Sequence, residues 1–249
     1  METKLKYYLQ IADNALILSH RLSENCSRGP FLEEDLATTN VALDLIGCAE
    51  SIYEEVARQE GKGKIGDDFA YRRKENEFLN IILVEQPNDD FAHLMVRQFF
   101  TDLFHFYFFT DLMNSQDDFL KGLAHKTIKE VTYHLKRSSE WMVRFGKGTE
   151  ESKKRAQIAI NKFWKYTHEF FLESEVDKAI LANGMGVDLV KIQKDFKLKV
   201  DEIFYLAHLS LPTNDFSIKG GKQGVHSENL GYILTEMQFL PSTYPDAIW

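Results

Sequence analysis

The segment from about Asp90 to Asn114 constrains the fold of this chain more than any other. It is apolar on nearly every side of a helix, and its densest part, Phe99 to Phe109, is interrupted by Asp102 and His105. A helix that is apolar all round must be covered by other helices or by lipid. No run reaches the roughly 18 apolar residues of a membrane span. We therefore expect this helix at the centre of a helical bundle.

The rest of the chain supplies helices for such a bundle. Apolar side chains recur at helical spacing, and no period-2 pattern of a strand ladder appears. The predicted helices cover about 2–25, 33–60, 69–83, 90–114, 119–145, 152–173 and 187–209. Since no repeat or interdomain linker is found, we predict one all-α domain over residues 1–249. Residues 212–249 form a C-terminal extension of this domain that packs on the bundle or on a partner.

Charge, cysteine count and the first residues argue against several classes of function and location. The net charge of −8 disfavours a nucleic-acid-binding surface, which is normally basic. Cys26 and Cys48 are too few for a disulfide framework or a cysteine-type zinc site. The first residues, Met1 to Lys4, lack the apolar stretch of a secretory signal. We expect a cytoplasmic protein with neither nucleic acid nor a membrane as its partner.

Polar residues inside the apolar faces of long helices are typical of carboxylate di-iron bundles. Such sites take a Glu from each of two helices and a Glu-x-x-His from each of two others. Residues three apart share a helical face, so both side chains reach one metal. Asp102 and His105 have this spacing, with Asp in place of Glu, whereas Glu130 and His134 are four apart. Asp44 lies in an apolar stretch of the second helix.

The second half of that ligand pattern is missing. Residues 161–170 of the sixth helix contain no Glu-x-x-His, and Trp164 stands where a ligand would project. We interpret the five candidates as a degenerate site that holds no metal: Asp44, Asp102, His105, Glu130 and His134. Since a buried carboxylate must be paired or neutralised, we expect Asp102 to pair with His105 and Glu130 with His134, without metal. The alternative is a ferritin-like, metal-dependent oxidase with a divergent di-iron site.

The segment from Gly220 to Gly224 is similar to a phosphate-binding loop only in composition. Gln223 follows Lys222 where that motif needs Ser or Thr, and no strand precedes the segment. We predict a turn or a docking segment.

An ordered series of stretches carries a resemblance to a known family. The series includes Asp13 to Leu22, Leu83 to Asn88 and, near the C-terminus, His226-Ser227-Glu228-Asn229-Leu230-Gly231. Its other members lie within residues 40–47, 97–105, 128–135, 159–162, 220–222 and 236–240. Taken in order, they resemble the PaaC-like subunits of bacterial ring 1,2-phenylacetyl-CoA epoxidases, over nearly the whole chain.

The resemblance implies a ferritin-like fold and a non-catalytic, structural role in aerobic phenylacetate catabolism. In that family a paralogous subunit holds the di-iron centre and binds the CoA thioester, and a reductase supplies electrons from NADPH. The complex uses O2 to convert phenylacetyl-CoA into its ring epoxide. This chain would hold no cofactor, would stabilise the catalytic subunit, and in isolation would form a homodimer. A helical interaction protein of unrelated function remains a further hypothesis.

The chain carries more aromatic residues than one bundle core obviously needs, with 19 Phe and 10 Tyr. Aromatic side chains are enriched at the cores of protein interfaces. We therefore predict a large interface with the paralogous subunit, part of it formed by the segment from Gly220 to Trp249. The equal alternative is that the last helix of this segment covers its own core.

Overall fold

The computed structural model describes residues 2–213, 216–245 and 247. In this part of the chain the all-α prediction is confirmed, with ten α-helices, short 3-10 turns and no strand. Positions 214, 215, 246, 248 and 249 of the predicted C-terminal extension lie outside the described residues. The helices are α1 (Thr3–Ser23), α2 (Leu32–Glu60), α3 (Gly66–Tyr71), α4 (Phe91–Leu112), α5 (Asp118–Lys147), α6 (Glu150–Thr167), α7 (Glu175–Ala182), α8 (Leu189–Ala207), α9 (Glu228–Met237) and α10 (Phe239–Thr243).

The chain divides into two compact units. The first contains residues 1–87 and 219–249, and the second contains residues 88–218. The second unit is thus inserted, in sequence, into the first. That the two together form a single domain over residues 1–249 stays a prediction.

In the first unit, α1 and α2 pack against each other along their lengths. Leu9 and Ile17 of α1 and Ile52 of α2 are completely buried there. The C-terminal segment adds α9, which packs on the 3-10 turns Glu75–Glu77 and Ile82–Glu85. Residues from both ends of the chain therefore belong to this unit.

In the second unit, α4 is the central helix, as its composition predicts. It packs against α5, α6 and α8. Phe99, Phe100 and Leu103 are fully buried. Although α4 is so apolar, none of the helices within the described residues has the length and apolar character needed to cross a membrane.

Five successive helices, α4 to α8, begin at a side-chain acceptor. In each case the side chain of the residue just before the helix accepts a hydrogen bond from the backbone N–H three residues further on. These capping residues are Asp90, Asp117, Thr149, Ser174 and Asp188. Such a cap satisfies one of the backbone donors left over in the first turn of a helix. The caps fix the starts of these helices close to the predicted positions for α4, α5, α6 and α8.

The predicted third helix, over 69–83, is wrong. Only Gly66–Tyr71 is α-helical, and two 3-10 turns with extended residues between them follow. The backbone N–H groups of Leu79 and Ile81 donate to Asp13 Oδ2 and Asn14 Oδ1 of α1, at 2.7 and 2.8 Å. These polar side chains hold the segment in an extended path, so its apolar pattern does not continue the helix.

The predicted sixth helix, over 152–173, is too long. Helix α6 ends at Thr167, and a 3-10 turn follows over His168–Phe171. The chain then begins the unpredicted helix α7, where Ser174 and Asp177 form a reciprocal capping box. Two short helical elements therefore replace the end of one long helix.

Candidate functional site

Three of the predicted site residues meet in the second unit. Asp102 and His105 lie on α4 and His134 lies on α5, which packs against it. All three are buried, with 1%, 7% and 2% of their surface exposed. The charge of His134 acts on both Asp102 and His105. The prediction that Asp102 and His105, three residues apart, share one face of α4 is thus correct.

The Asp102 carboxylate accepts a hydrogen bond from Gln98 Nε2 at 2.5 Å, one helical turn away. Burial raises the pKa of the Asp102 carboxyl to about 6. The charge of His134 and hydrogen bonds from Ser138 and Gln98 oppose that shift. The amide of Gln98 therefore takes the position that the prediction gave to His105 as the partner of Asp102.

His105 has an aromatic surrounding. Its ring lies against Phe104 and Phe109, with centroids 6.1 and 5.8 Å apart. Burial, and to a smaller extent the charge of His134, lowers the pKa of His105 to about 3. The imidazole is therefore neutral at pH 7 and behaves as part of the apolar packing of α4.

The other two candidates are less buried. Glu130 lies one turn before His134 on α5 and is half-buried. Asp44 is also half-buried but belongs to α2, in the first unit. The pairing of Glu130 with His134 stays a prediction.

A carboxylate di-iron centre needs about four carboxylates and two histidines around its metals. Among residues 2–213, 216–245 and 247, no three His, Cys, Asp or Glu side chains are placed to hold a metal ion. Trp164 of α6 packs on Phe100 and His168. What α4 and α5 offer is a buried polar cluster of one carboxylate, two imidazoles and an amide.

A second buried cluster, around Asp13 in the first unit, was not predicted. Asp13 is fully buried in the middle of α1. Tyr53 Oη of α2 donates to Asp13 Oδ1 at 2.6 Å, and both terminal nitrogens of Arg73 donate to the carboxylate. The guanidinium also lies over the ring of Phe78, 4.1 Å from its centroid. Burial, with the charge of Asp13, raises the pKa of Tyr53 well above its usual value, so the phenol remains a donor.

A third buried cluster fastens the C-terminal segment to the first unit. The side chains of Glu85 and His226 are completely buried and meet at 2.6 Å. The Glu85 carboxylate also accepts hydrogen bonds from Ser227 N, Ser227 Oγ and Asn80 Nδ2, at 2.9, 2.6 and 3.0 Å. Arg21 of α1 donates to the backbone carbonyl oxygens of Glu85 and Asn229. These contacts join segments that are about 60 to 200 residues apart in sequence.

The glycine-rich segment takes one of its two predicted forms, a turn. It forms a short 3-10 turn over Gly221–Gln223. A Cβ atom on Gly221 would lie 2.1 Å from the carbonyl oxygen of Asn80, and one on Gly224 would lie 2.3 Å from that of Asn76. The glycines therefore permit close backbone contact with the segment before Glu85 rather than the binding of a phosphate.

One sequence signal pointed to the missed cluster around Asp13. Asp13 and Asn14 are polar residues in the middle of an otherwise apolar helix face, where they must bind something. Their partners are remote in sequence, so local patterns could not name them.

The profile of the PaaA–PaaC family, described as phenylacetic acid catabolic protein, matches residues 1–249. The chain is also 41% identical, over 243 residues, to a protein of Escherichia coli (strain K12) that is named as a subunit of 1,2-phenylacetyl-CoA epoxidase. That alignment covers 98% of each chain.

Proposed function

The chain belongs to the phenylacetic acid catabolic protein family, and we propose that it is the non-catalytic, structural subunit of a phenylacetyl-CoA epoxidase complex. Its role is to bind and stabilise the paralogous subunit that holds the di-iron centre and the CoA thioester. A reductase that uses NADPH, and O2 as oxidant, complete the activity. The name of the E. coli relative and the full-length similarity support this assignment.

The polar cluster on α4 and α5 carries the non-catalytic part of the proposal. Asp102 is bound by the neutral amide of Gln98, and the His105 ring lies against the rings of Phe104 and Phe109. A carboxylate di-iron site would instead need several carboxylates from neighbouring helices, all directed at the same metal position. The cluster fills the helical core only partly paired, since Asp102 Oδ2 and Gln98 Oε1 are buried without a hydrogen-bond partner among the described residues.

An iron measurement separates this proposal from the alternative of a divergent di-iron oxidase. We expect the chain, purified alone from iron-supplemented cells, to contain far less than one iron per chain. Near-stoichiometric iron that disappears in Asp102→Ala and His105→Ala variants, but not in an Asp118→Ala control, would favour the oxidase. Asp118 is an exposed residue at the start of α5.

The C-terminal helices support the interface part of the proposal. One face of α9 is buried in the first unit through Leu230, Ile233 and Leu234. The other side of α9 and α10 exposes Tyr232 and Phe239, at 67% and 63%. The segment therefore covers its own core and also presents aromatic side chains of the kind enriched at interface cores. We propose that the exposed side contacts the catalytic subunit, in an interface that exceeds about 2,000 Å² in total.

Truncation of the segment would expose core residues of the first unit, so surface substitutions are the better test. The double variant Tyr232→Ser, Phe239→Ser should keep the melting temperature of the chain but weaken its binding to the catalytic subunit at least tenfold. The control is Tyr205→Ser on α8, which removes a tyrosine that is 83% exposed. Unchanged binding of the double variant would show that this side of the segment lies outside the interface.

The function as a whole is tested by reconstitution. Phenylacetyl-CoA epoxidation by the catalytic subunit and reductase should require this chain. The Asp102→Ala variant should restore turnover whenever it still assembles. Loss of turnover in an assembled, stable complex would contradict the structural role. The cytoplasmic location and the homodimer of the isolated chain stay predictions.

A further inference from the structure

The His226 ring faces an acceptor at each of its nitrogens. Nδ1 lies 2.6 Å from Glu85 Oε1, and Nε2 lies 2.9 Å from the backbone carbonyl oxygen of Phe78. A carbonyl oxygen only accepts, as does an ionised carboxylate, and a neutral imidazole carries a single N–H. Both contacts are hydrogen bonds only if His226 is the doubly protonated imidazolium.

The surroundings of Glu85 favour the ionised carboxylate over a protonated one. Three further donors reach its oxygens: Ser227 N and Ser227 Oγ at Oε2, and Asn80 Nδ2 at Oε1. A carboxylate that accepts several hydrogen bonds is stabilised in its charged form. The pair is therefore an imidazolium and a carboxylate, both with side chains fully removed from solvent.

The carboxylates around His226 act in the same direction. Glu85, on the Ile82–Glu85 turn, and Glu75, on the preceding 3-10 turn, both contribute negative charge. Arg21 on α1 is directed at the carbonyl oxygens of Glu85 and Asn229 and forms an ion pair with Glu24. Burial alone lowers the pKa of His226, but the hydrogen bond and charge of Glu85, the hydrogen bond to Phe78 and the charge of Glu75 together outweigh it, and the pKa lies above its ordinary value.

We propose that His226 is a proton-dependent clamp, whose imidazolium holds the C-terminal segment on the Ile82–Glu85 turn and whose deprotonation allows α9 to open. Helix α9 begins two residues after His226, so the clamp fixes its N-terminal end. Opening of α9 would expose Leu230, Ile233 and Leu234, which are otherwise buried. The inference concerns the chain alone and does not depend on its proposed partner.

The sign of the pH effect follows from the raised pKa of His226. The closed state binds the proton more tightly than the open state, whose pKa is the ordinary value of about 6.5. The stabilisation by the clamp is complete below that value and is lost as the pH rises through the pKa of the closed state. Between these two values, opening should become up to about tenfold more frequent for each pH unit.

Amide hydrogen exchange of the full-length chain tests the clamp. After correction for the intrinsic exchange rate, the protection of residues 230–237 should be constant below about pH 6.5. It should then fall by up to about tenfold per pH unit, while the protection of α4 stays constant. Protection of α9 that is independent of pH between 6 and 9.5 would overturn the proposal.

Two variants and one direct measurement sharpen the test. His226→Gln should show low, pH-independent protection of α9, and the control His125→Gln, at an exposed position on α5, should keep the wild-type profile. Nitrogen-15 NMR of the wild-type chain at pH 6.5 should show both His226 ring nitrogens protonated. A neutral tautomer at that pH would overturn the proposal even if His226→Gln failed to fold.

Discussion

Replacement of Asp102 by Asn should stabilise the folded chain above pH 6. Burial raises the pKa of this carboxyl from 3.8 to about 6, which is a shift of about two units. Each unit corresponds to about 1.36 kcal/mol, so the ionised carboxylate costs roughly 3 kcal/mol in the folded state at pH 8. The Asn side chain keeps an acceptor for Gln98, but it adds an amide donor to a buried site, at a cost of about 1–2 kcal/mol. We expect a net stabilisation of about 1–2 kcal/mol, or a few degrees in melting temperature.

The pH dependence of this effect distinguishes it from an ordinary change in packing. A carboxyl with a raised folded-state pKa contributes stability that is present below its unfolded pKa of 3.8 and lost as the pH rises through about 6. The advantage of Asp102→Asn should therefore decrease from pH 8 to pH 5. His105 has the opposite effect, since its pKa is lowered to about 3 and its contribution is lost on acidification. That contribution is common to both proteins and cancels in their difference.

Urea unfolding of both proteins at pH 5, 6, 7 and 8 measures the difference. Asp118→Asn, which alters an exposed carboxylate of α5, is the control and should give a small difference that does not vary with pH. If Asp102→Asn were less stable than the wild type at pH 8, the ionised carboxylate would be favourably paired in the fold. That result would refute the assignment of the raised pKa to burial.

Three further substitutions test other parts of the structure by thermal or urea unfolding. Arg73→Met should cost about 3–5 kcal/mol, because it leaves the buried carboxylate of Asp13 without its cation; a loss below 1 kcal/mol would show that the pair is dispensable. Gly146→Ala should destabilise by about 1–3 kcal/mol, since a Cβ there would lie 1.7 Å from a carbonyl oxygen at the end of α8. Gly122→Ala on the same helix has open space and should stabilise by about 0.5–1 kcal/mol. His105→Ala should lower the melting temperature but leave the turnover of an assembled complex intact; the opposite pattern would indicate a catalytic histidine.

The central helix shows what composition alone can predict. Because α4 is apolar on all sides, its burial among other helices follows from the hydrophobic effect whatever the details of its neighbours. The shared face of Asp102 and His105 also follows directly, from the helical repeat. Both predictions depend only on residues within one element.

The errors arose where residues that are distant in sequence decide local structure. The apolar pattern of 69–83 suits a helix, but Asp13 and Asn14 of α1 bind its backbone and extend it. Neither the Glu85–His226 pair nor the Arg73–Asp13 pair has a local signature. The two members of the first pair are 141 residues apart in sequence, and those of the second are 60 residues apart. By contrast, the Ser174–Asp177 capping box has a purely local spacing, from which the start of α7 can be predicted.

The insertion of residues 88–218 between the two parts of the first unit has a consequence for biosynthesis. A ribosome completes the whole second unit before it adds the residues that close the first, so the second unit can fold while the first is still incomplete. During that interval Glu85 has neither His226 nor Ser227 to bind. The apolar surface of the first unit that α9 later covers is exposed to solvent. The incomplete first unit is therefore vulnerable to aggregation and to proteases during this period of synthesis. A chaperone, or early association with another protein of the complex, would have its greatest effect on yield in that interval.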